Sequence, residues 1–318
     1  LAREIHIAST RSEMIDLLRS HPESLVIGGG SNMLFTQDQD RDVIVINTKG
    51  KQLIEESESY VDIQIEAGEA WHDLVMWAVS QGYGGIENMA LIPGKCGAAP
   101  MQNIGAYGRE IKDVFVALEA YDKVNDSVFS LNNEECEFGY RDSIFKNALR
   151  DKAVILSITL RLTKDGYHLL NTSYGAIEQR LESKRKSLHP TIQDIAEAVI
   201  EIRQSKLPDP TQLPNAGSFF KNPILERTQV EELLLTYPDM PNYVVDADYM
   251  KLPAGWLIDR AGWRGRRIGD VGTYEHQALV LVNHGSPSGQ NIIDFARQIQ
   301  KSVYDKYGVE IEPEVNIY

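Results

Sequence analysis

The chain has 318 residues, enough for two or three domains at the usual ~100–200 residues each. Its 42% hydrophobic and 25% charged content are those of an ordinary globular protein, and a formal charge of −14 argues against a nucleic-acid-binding surface. The sequence holds no apolar run of about 18 residues and no basic-then-apolar leader, which points away from a membrane span and a secretory signal. Leu1 is not a translation start, so the sequence is expected to be a fragment or a processed form. The two cysteines, Cys96 and Cys136, match neither a zinc spacing nor a disulfide framework and fit a reducing, cytoplasmic setting. Seven scattered histidines show no local ligand pattern, so no metal site is expected.

In chain order, Met14, Leu17 and Leu18 predict a helix that starts at a Ser12 cap and ends before Pro22. A strand over 24–27 then runs into Gly28-Gly29-Gly30-Ser31-Asn32, followed by Met33-Leu34-Phe35 and a strand over 43–47. The glycine-rich turn joins strand to strand, with Met33 where a dinucleotide fingerprint needs its third glycine and no helix behind it, which excludes a Rossmann site. Two readings stay open for this turn: a plain hairpin, or a nest of N–H groups for phosphate. Ile63, Ile65 and Ala67 alternate as a strand, and Ala70, Leu74, Val75, Ala78 and Val79 mark a helix stopped by Gly82.

The next stretch, Ile92 to Gly108, reads IPGKCGAAPMQNIGAYG. It is too poor in large side chains to be a core helix, and its composition admits two readings. It is a turn-rich surface crossing, or a wall whose backbone approaches a flat ligand closely. Strands over 114–121 and 153–162 frame GYRDSIFK, residues 139–146. A helix from Ile192 runs into Arg203 and Lys206 and stops at Leu207-Pro208-Asp209-Pro210, where a domain boundary is expected. Beyond it come NAGSFFKNP (215–223), a short helix near 231–235, a helix opened by Pro253 and closed by Gly262, and a buried strand over 279–282. A long helix through Ile292–Val303 and a terminal strand over 309–315 complete the chain.

The side chains suited to chemistry are few. Ser218 lies in a small-residue turn beside Lys221 and Asn222, suited to proton donation or nucleophilic attack, and no G-x-S-x-G elbow supports a hydrolase. Arg141 lies in the loop between strands, where pairing with a carboxylate or solvation is the ordinary outcome. Glu314 sits in IEPEVNI near the end of an apolar strand, where burial would raise its pKa and partners would lower it. Arg203, Lys206, Lys221, Arg264, Arg266 and Arg267 form a cationic set within an acidic chain, either a solvated face or a binding surface for a diphosphate.

The ordered motifs GGGSNMLF, IPGKCGAAPMQNIGAYG, GYRDSIFK, KLPDP, NAGSFFKNP, PAGWLIDRAGWRG and EPEV closely resemble those of the UDP-N-acetylenolpyruvoylglucosamine reductases. The resemblance spans nearly the whole chain, and Tyr174-Gly175 is similar to the substrate-lid tyrosine of the type I branch. It implies an α+β fold: a two-part FAD-binding module of the vanillyl-alcohol-oxidase type and a third α+β domain that binds substrate. The implied divisions are 1–50, 51–205 joined by the terminal strand 309–318, and 206–308. It implies NADPH-dependent, FAD-mediated reduction of UDP-N-acetylglucosamine enolpyruvate to UDP-N-acetylmuramate for peptidoglycan, by a cytoplasmic monomer that binds no nucleic acid or membrane. NADPH and substrate are expected to use one pocket in turn.

Carried over by motif, the resemblance implies Ser218 as general acid and Arg141 and Glu314 as stabilisers of an enolate-like intermediate. Lys221 is expected to ease loss of the Ser218 hydroxyl proton. Cofactor contacts fall on Gly28, Gly29, Gly30, Ser31, Asn32 and Met33. They continue along the second loop at Pro93, Gly94, Gly97, Ala98, Ala99, Gln102, Asn103, Gly105 and Ala106. Substrate contacts fall on Tyr107, Tyr174, Arg203, Lys206, Asn222, Tyr243, Arg264 and Gln277. Two departures accompany it: the family's Asn-Thr-Phe-Gly stretch lies upstream of Leu1, and Asn316 stands where a basic residue is common. A flavin oxidase on the same cofactor fold has no need of the Ser218 and Glu314 motifs, and a non-catalytic nucleotide-sugar-binding flavoprotein has no need to keep all three catalytic residues.

Overall fold

The structure, a computed structural model, describes residues 2–184, 188–286 and 288–318. The chain divides into two compact units, Leu1–Gly30 with Gln39–Arg203, and Ser31–Asp38 with Gln204–Tyr318. The division falls within the last turn of the helix Ile192–Lys206 and again between Gly30 and Ser31, inside the glycine-rich turn.

In the first unit, Val43–Ile46 is the centre of a parallel three-stranded sheet, flanked by Ile5–Ala8 and Leu25–Ile27. The helix Arg11–Ser20 packs Met14 and Leu18 into a small core with Ala8, Ile44, Tyr121 and Leu156. Its cap is Thr10, whose hydroxyl accepts from the Glu13 N–H, so the helix starts ahead of the expected Ser12. A five-stranded antiparallel sheet follows, in the order Ser127–Asn132, Phe115–Asp122, Ala153–Thr163, Tyr60–Glu66, Lys51–Glu56. Its inner strands bury Val61, Ile63, Ile65, Leu118, Ile158 and Leu160 against the helices Trp71–Ser80, Gly175–Ser183 and Ile192–Lys206. This buried face stabilises the unit, since apolar area removed from water contributes about 25 cal/mol per Å².

In the second unit a four-stranded antiparallel sheet runs Asn215–Ser218, Gln277–Asn283, Val271–Tyr274, Arg267–Ile268. A smaller one runs Ile224–Glu226, Tyr249–Lys251, Tyr243–Val244. The helices Arg227–Thr236, Ala254–Arg260 and Gly289–Tyr307 cover a core that includes Phe219, Phe220, Leu257, Trp263, Ile299 and Val303. The expected terminal strand over 309–315 does not form. Val309, Ile311 and Val315 are buried with strand-like alternation, yet Pro313 has no N–H to give to a ladder. Pairing is limited to one bridge, Phe220 with Pro313, and to Asn316–Ile317 running parallel to Met33–Leu34. This terminal segment belongs to the second unit, with 31–38 and 204–308, rather than with 51–205.

Candidate active site

In the first unit the two glycine-rich stretches meet. A Cβ on Gly28 would lie 3.3 Å from Cβ and Cγ of Lys95, and one on Gly29 would lie 3.2 Å from Cα of Gly94. Gly97 is tighter still: its N–H donates to the Ala67 carbonyl at 2.9 Å, and an added Cβ would sit 2.5 Å from the Ala67 Cβ. Trp71 N–H donates to the Gly94 carbonyl and Cys96 N–H to the Glu69 carbonyl, so the loop is laced to the core over one edge. Pro93 and Ala98 are exposed, while Gly97 and Ala99 are buried. The result is a narrow-sided wall with exposed backbone at Gly29 and Gly30, the latter at a φ of 66° that favours glycine. Close backbone, small side chains and an exposed glycine turn fit a flat ring carrying a diphosphate.

The loop continues through two short 3₁₀ turns, Cys96–Ala98 and Pro100–Gln102, with Gln102 half-buried. Asn103 is buried in a left-handed conformation, φ 46°. Its amide donates to Glu110 Oε2 and to the Gly139 carbonyl, both at 2.9 Å, and its Oδ1 accepts from Lys112 N–H. The side chain of Asn103, an expected cofactor contact, is hydrogen-bonded inside the protein and ties the loop to the turn at Gly139. Ser143, whose hydroxyl donates to the Met101 carbonyl, makes a second tie.

That turn presents Arg141, also left-handed at φ 55°. Its guanidinium donates to the Gly105 carbonyl at 3.0 Å and lies over the Tyr140 ring. Arg141 is therefore fixed against the Gly105–Ala106 end of the wall.

Three of the expected substrate contacts gather in the same unit. The Tyr107 ring meets Tyr174 edge to face, with centroids 5.1 Å apart, and Tyr174 leads into the helix Gly175–Ser183. Tyr107 hydrogen-bonds Arg203; burial pushes the Tyr107 hydroxyl above its ordinary pKa while Arg203 opposes the shift. Burial likewise lowers Arg203, and its Nε is buried without a partner among the described residues. A desolvated guanidinium with a free donor is a strong attractor for an anionic group. Asn88, fully buried, donates to the Tyr107 and Asn171 carbonyls at 3.2 and 2.9 Å and so fixes the backbone under Tyr107. Nothing local in the sequence marks Asn88, because an amide whose Nδ2 is spent on distant carbonyls has no periodicity to read.

In the second unit, Ser218 ends the strand Asn215–Ser218, opposite Val280. The next residues pair with the C-terminal segment: Glu314 N–H donates to the Phe219 carbonyl at 2.7 Å, and Lys221 N–H to the Glu312 carbonyl. This brings half-buried Ser218 and half-buried Glu314 to one edge. Asn32 Nδ2 donates to the Glu314 carbonyl at 3.3 Å, and the Asn32 carbonyl accepts from both Asn316 N–H and Asn316 Nδ2. Ser31 and Met33 lie in this unit beside Asn32.

The remaining expected contacts are more scattered. Asn222 Oδ1 accepts from Ala254 N–H and holds the start of the helix Ala254–Arg260. Gln277 Oε1 accepts from Leu279 N–H in its own strand. Tyr243 is exposed on an edge strand, Lys206 is exposed at a helix end, and Arg264 pairs with Asp259 at 3.3 Å. Much of the cationic set is a paired surface. Lys221 meets Glu312, Arg267 meets Asp270, and Arg266 stacks over Trp263. Lys221, expected to assist Ser218, is thus engaged with Glu312. Both cysteines are buried, and burial pushes their thiols up, Cys136 to about 12, which makes them filler rather than redox groups.

Residues 7–130 match the sequence profile of an FAD binding domain, and 209–318 that of the UDP-N-acetylenolpyruvoylglucosamine reductase C-terminal domain. The reductase of Flavobacterium johnsoniae is 49% identical over 93% of this chain and 87% of its own length. That of Pseudomonas aeruginosa is 47% identical over 92% and 86%. The crystal structure of the Thermus caldophilus enzyme shares the fold, with a TM-score of 0.66 at 22% identity over 99% of this chain and 91% of that one. The glycine wall, the cofactor-domain match and relatives at nearly half identity over almost the full length together make this chain a member of the UDP-N-acetylenolpyruvoylglucosamine reductase family, an FAD-dependent oxidoreductase.

Proposed function

We propose that the enzyme uses NADPH to reduce the enolpyruvyl ether of UDP-N-acetylglucosamine enolpyruvate, giving UDP-N-acetylmuramate for peptidoglycan synthesis. FAD supplies the hydride relay when bound. Gly28, Gly29 and Gly30, with the wall from Pro93 to Ala106, would hold it.

The chain's own work is charge and proton management. Delivery of a hydride to the terminal carbon of the enolpyruvyl group pushes negative charge onto the conjugated carboxylate. Arg141 offers a fixed positive charge to it, and preorganised charge of this kind is often the largest catalytic contribution. Glu314, when protonated or when sharing a hydrogen bond with the substrate, stabilises developing negative charge. Ser218 Oγ gives its proton to the adjacent carbon, completing the addition of one hydride and one proton across the double bond, and recovers a proton from solvent afterwards. Serine is a weak acid, so its contribution depends on positioning. Arg203, with Tyr107 and Tyr174, draws in the anionic part of the nucleotide sugar.

The observation that supports this reading most is the 2.7 Å Glu314–Phe219 backbone bond, which joins the backbone next to Ser218 to that of Glu314 although they are nearly a hundred residues apart in sequence. The test separates the half-reactions. In Ser218→Ala, NADPH should bleach the yellow colour at the normal rate, while its return on adding the enolpyruvyl nucleotide should slow by about 10²–10⁴-fold, the usual worth of a positioned acid. Equal loss in both halves would remove the acid role.

A further inference from the structure

At one end of the parallel sheet in the first unit, three side chains from separate segments converge: His6 on the strand Ile5–Ala8, His21 at the C-cap of the helix Arg11–Ser20, and Asp42 just before the strand Val43–Ile46. The His6 and His21 rings lie 4.4 Å apart between centroids, tilted by 35°. His21 Nδ1 meets Asp42 Oδ2 at 2.9 Å. Each of the three offers a ligand atom, and these atoms lie within 4.8 Å of one another. No member of the trio belongs to the expected flavin or substrate set.

The trio also carries unmet polar capacity. His6 Nε2 and Asp42 Oδ1 are buried without a hydrogen-bond partner among the described residues. So is the hydroxyl of Ser24, whose N–H donates to the His21 carbonyl. Buried polar atoms without partners are costly and rare, and a cluster of them calls for an explanation. Glu4, two residues before His6 on the same segment, brings Oε2 to 3.6 Å from His6 Nε2. Two imidazoles and a carboxylate, half-buried and with a further carboxylate in reach, form a donor set suited to zinc or its neighbours in the transition series rather than to magnesium or calcium.

We propose that His6, His21 and Asp42 bind one Zn²⁺ ion, with Glu4 or solvent completing the coordination. Four-coordinate zinc at about 2.0–2.1 Å from nitrogen and oxygen ligands sets neighbouring ligand atoms roughly 3.3–3.5 Å apart, so ligand atoms that now lie within 4.8 Å of one another close by up to about 1.5 Å through side-chain rotation. Binding replaces the His21–Asp42 hydrogen bond, and the neutral His21 ring keeps its one proton on the nitrogen that does not ligate the ion. The ion bolts the end of the first helix to two strands of the sheet, which makes it a structural site. The histidine spacing in the sequence hides it because the ligands come together only when the parallel sheet forms.

Full-length, tag-free protein, stripped with EDTA and then desalted, is titrated with ZnCl₂ by calorimetry, and its melting temperature is read with and without the metal. Wild type should bind one equivalent and melt higher with zinc. Asp42→Asn and His6→Gln, each checked for native circular dichroism, should each weaken that equivalent at least tenfold and lose the zinc-dependent rise. Absence of a stoichiometric site in wild type, or binding that both variants keep, would overturn the proposal. These readouts need no flavin turnover and stand apart from the reductase reading.

Discussion

Arg141 shows how much a single residue's backbone has to be overruled to point a charge. A non-glycine residue in the left-handed region costs roughly 1–2 kcal/mol, and the Arg141–Gly105 hydrogen bond returns about 1 kcal/mol of that. Glycine at this position relieves the first and forfeits the second. Arg141→Gly should therefore stay within about 1 kcal/mol of wild type in urea unfolding, while turnover falls by roughly 10²-fold or more. A loss of several kcal/mol together with activity would make Arg141 a structural residue. Gly97 behaves oppositely. Its missing Cβ is already occupied by Ala67 at 2.5 Å, backbone behind it, so Gly97→Ala has no flexible neighbour to push aside. It should cost about 1–3 kcal/mol and weaken FAD retention, read by urea midpoint and flavin fluorescence. An unchanged midpoint would mean that the wall is looser than its hydrogen bonds suggest.

At the scale of the element, Asn222 separates two roles that the motif alone merges. Its Oδ1 satisfies Ala254 N–H, one of the donors that the helix Ala254–Arg260 leaves open behind Pro253. Asn222→Ala should lose about 1 kcal/mol of stability; a rise in KM with no stability change would assign Asn222 to substrate alone. The same physics explains which elements were legible. The strands Tyr60–Glu66 and Ala153–Thr163 and the helix Trp71–Ser80 bury one face each, and their apolar spacing announces it. The two strands at the edges of that sheet do not. Lys51–Glu56 is exposed at every position, and Ser127–Asn132 at most of them, so neither has a period for the sequence to display. The helix Gly175–Ser183 buries only Ile177 and Leu181 and was equally silent. The span 309–315 failed in the other direction, alternating like a strand around a proline that cannot pair.

Across the whole molecule, the motifs that betray chemistry are those whose residues stay contiguous, such as the glycine wall and the Ser218 turn. The partners that hold them, Asn88 under Tyr107 and Asn103 on Gly139, meet only in three dimensions and leave no local trace. The molecule's response to acid belongs to the same class of hidden contact. His72 is half-buried beneath the loop that leads to the wall, and its Nδ1 accepts from Leu91 N–H at 3.0 Å. Burial lowers its pKa, with Arg203 adding to the shift and Asp73 opposing it. A depressed imidazole binds fewer protons folded than unfolded, so stability rises with pH across the window between the two values. The contribution is whole above the unfolded value of about 6.5 and drains away as pH falls through the folded one. Glu119 adds to the same trend at lower pH: burial raises it, but Arg11, Ser157 and Gln64 together hold it below the ordinary carboxylate value. Urea midpoints should therefore drop between pH 7.5 and 5.5. Glutamine at position 72 has an oxygen able to accept from Leu91 N–H and nothing to titrate, so His72→Gln should flatten that drop while leaving the midpoint at pH 7.5 within about 1 kcal/mol of wild type. If the variant loses stability on acidification as steeply as the parent, His72 is not the group that senses pH.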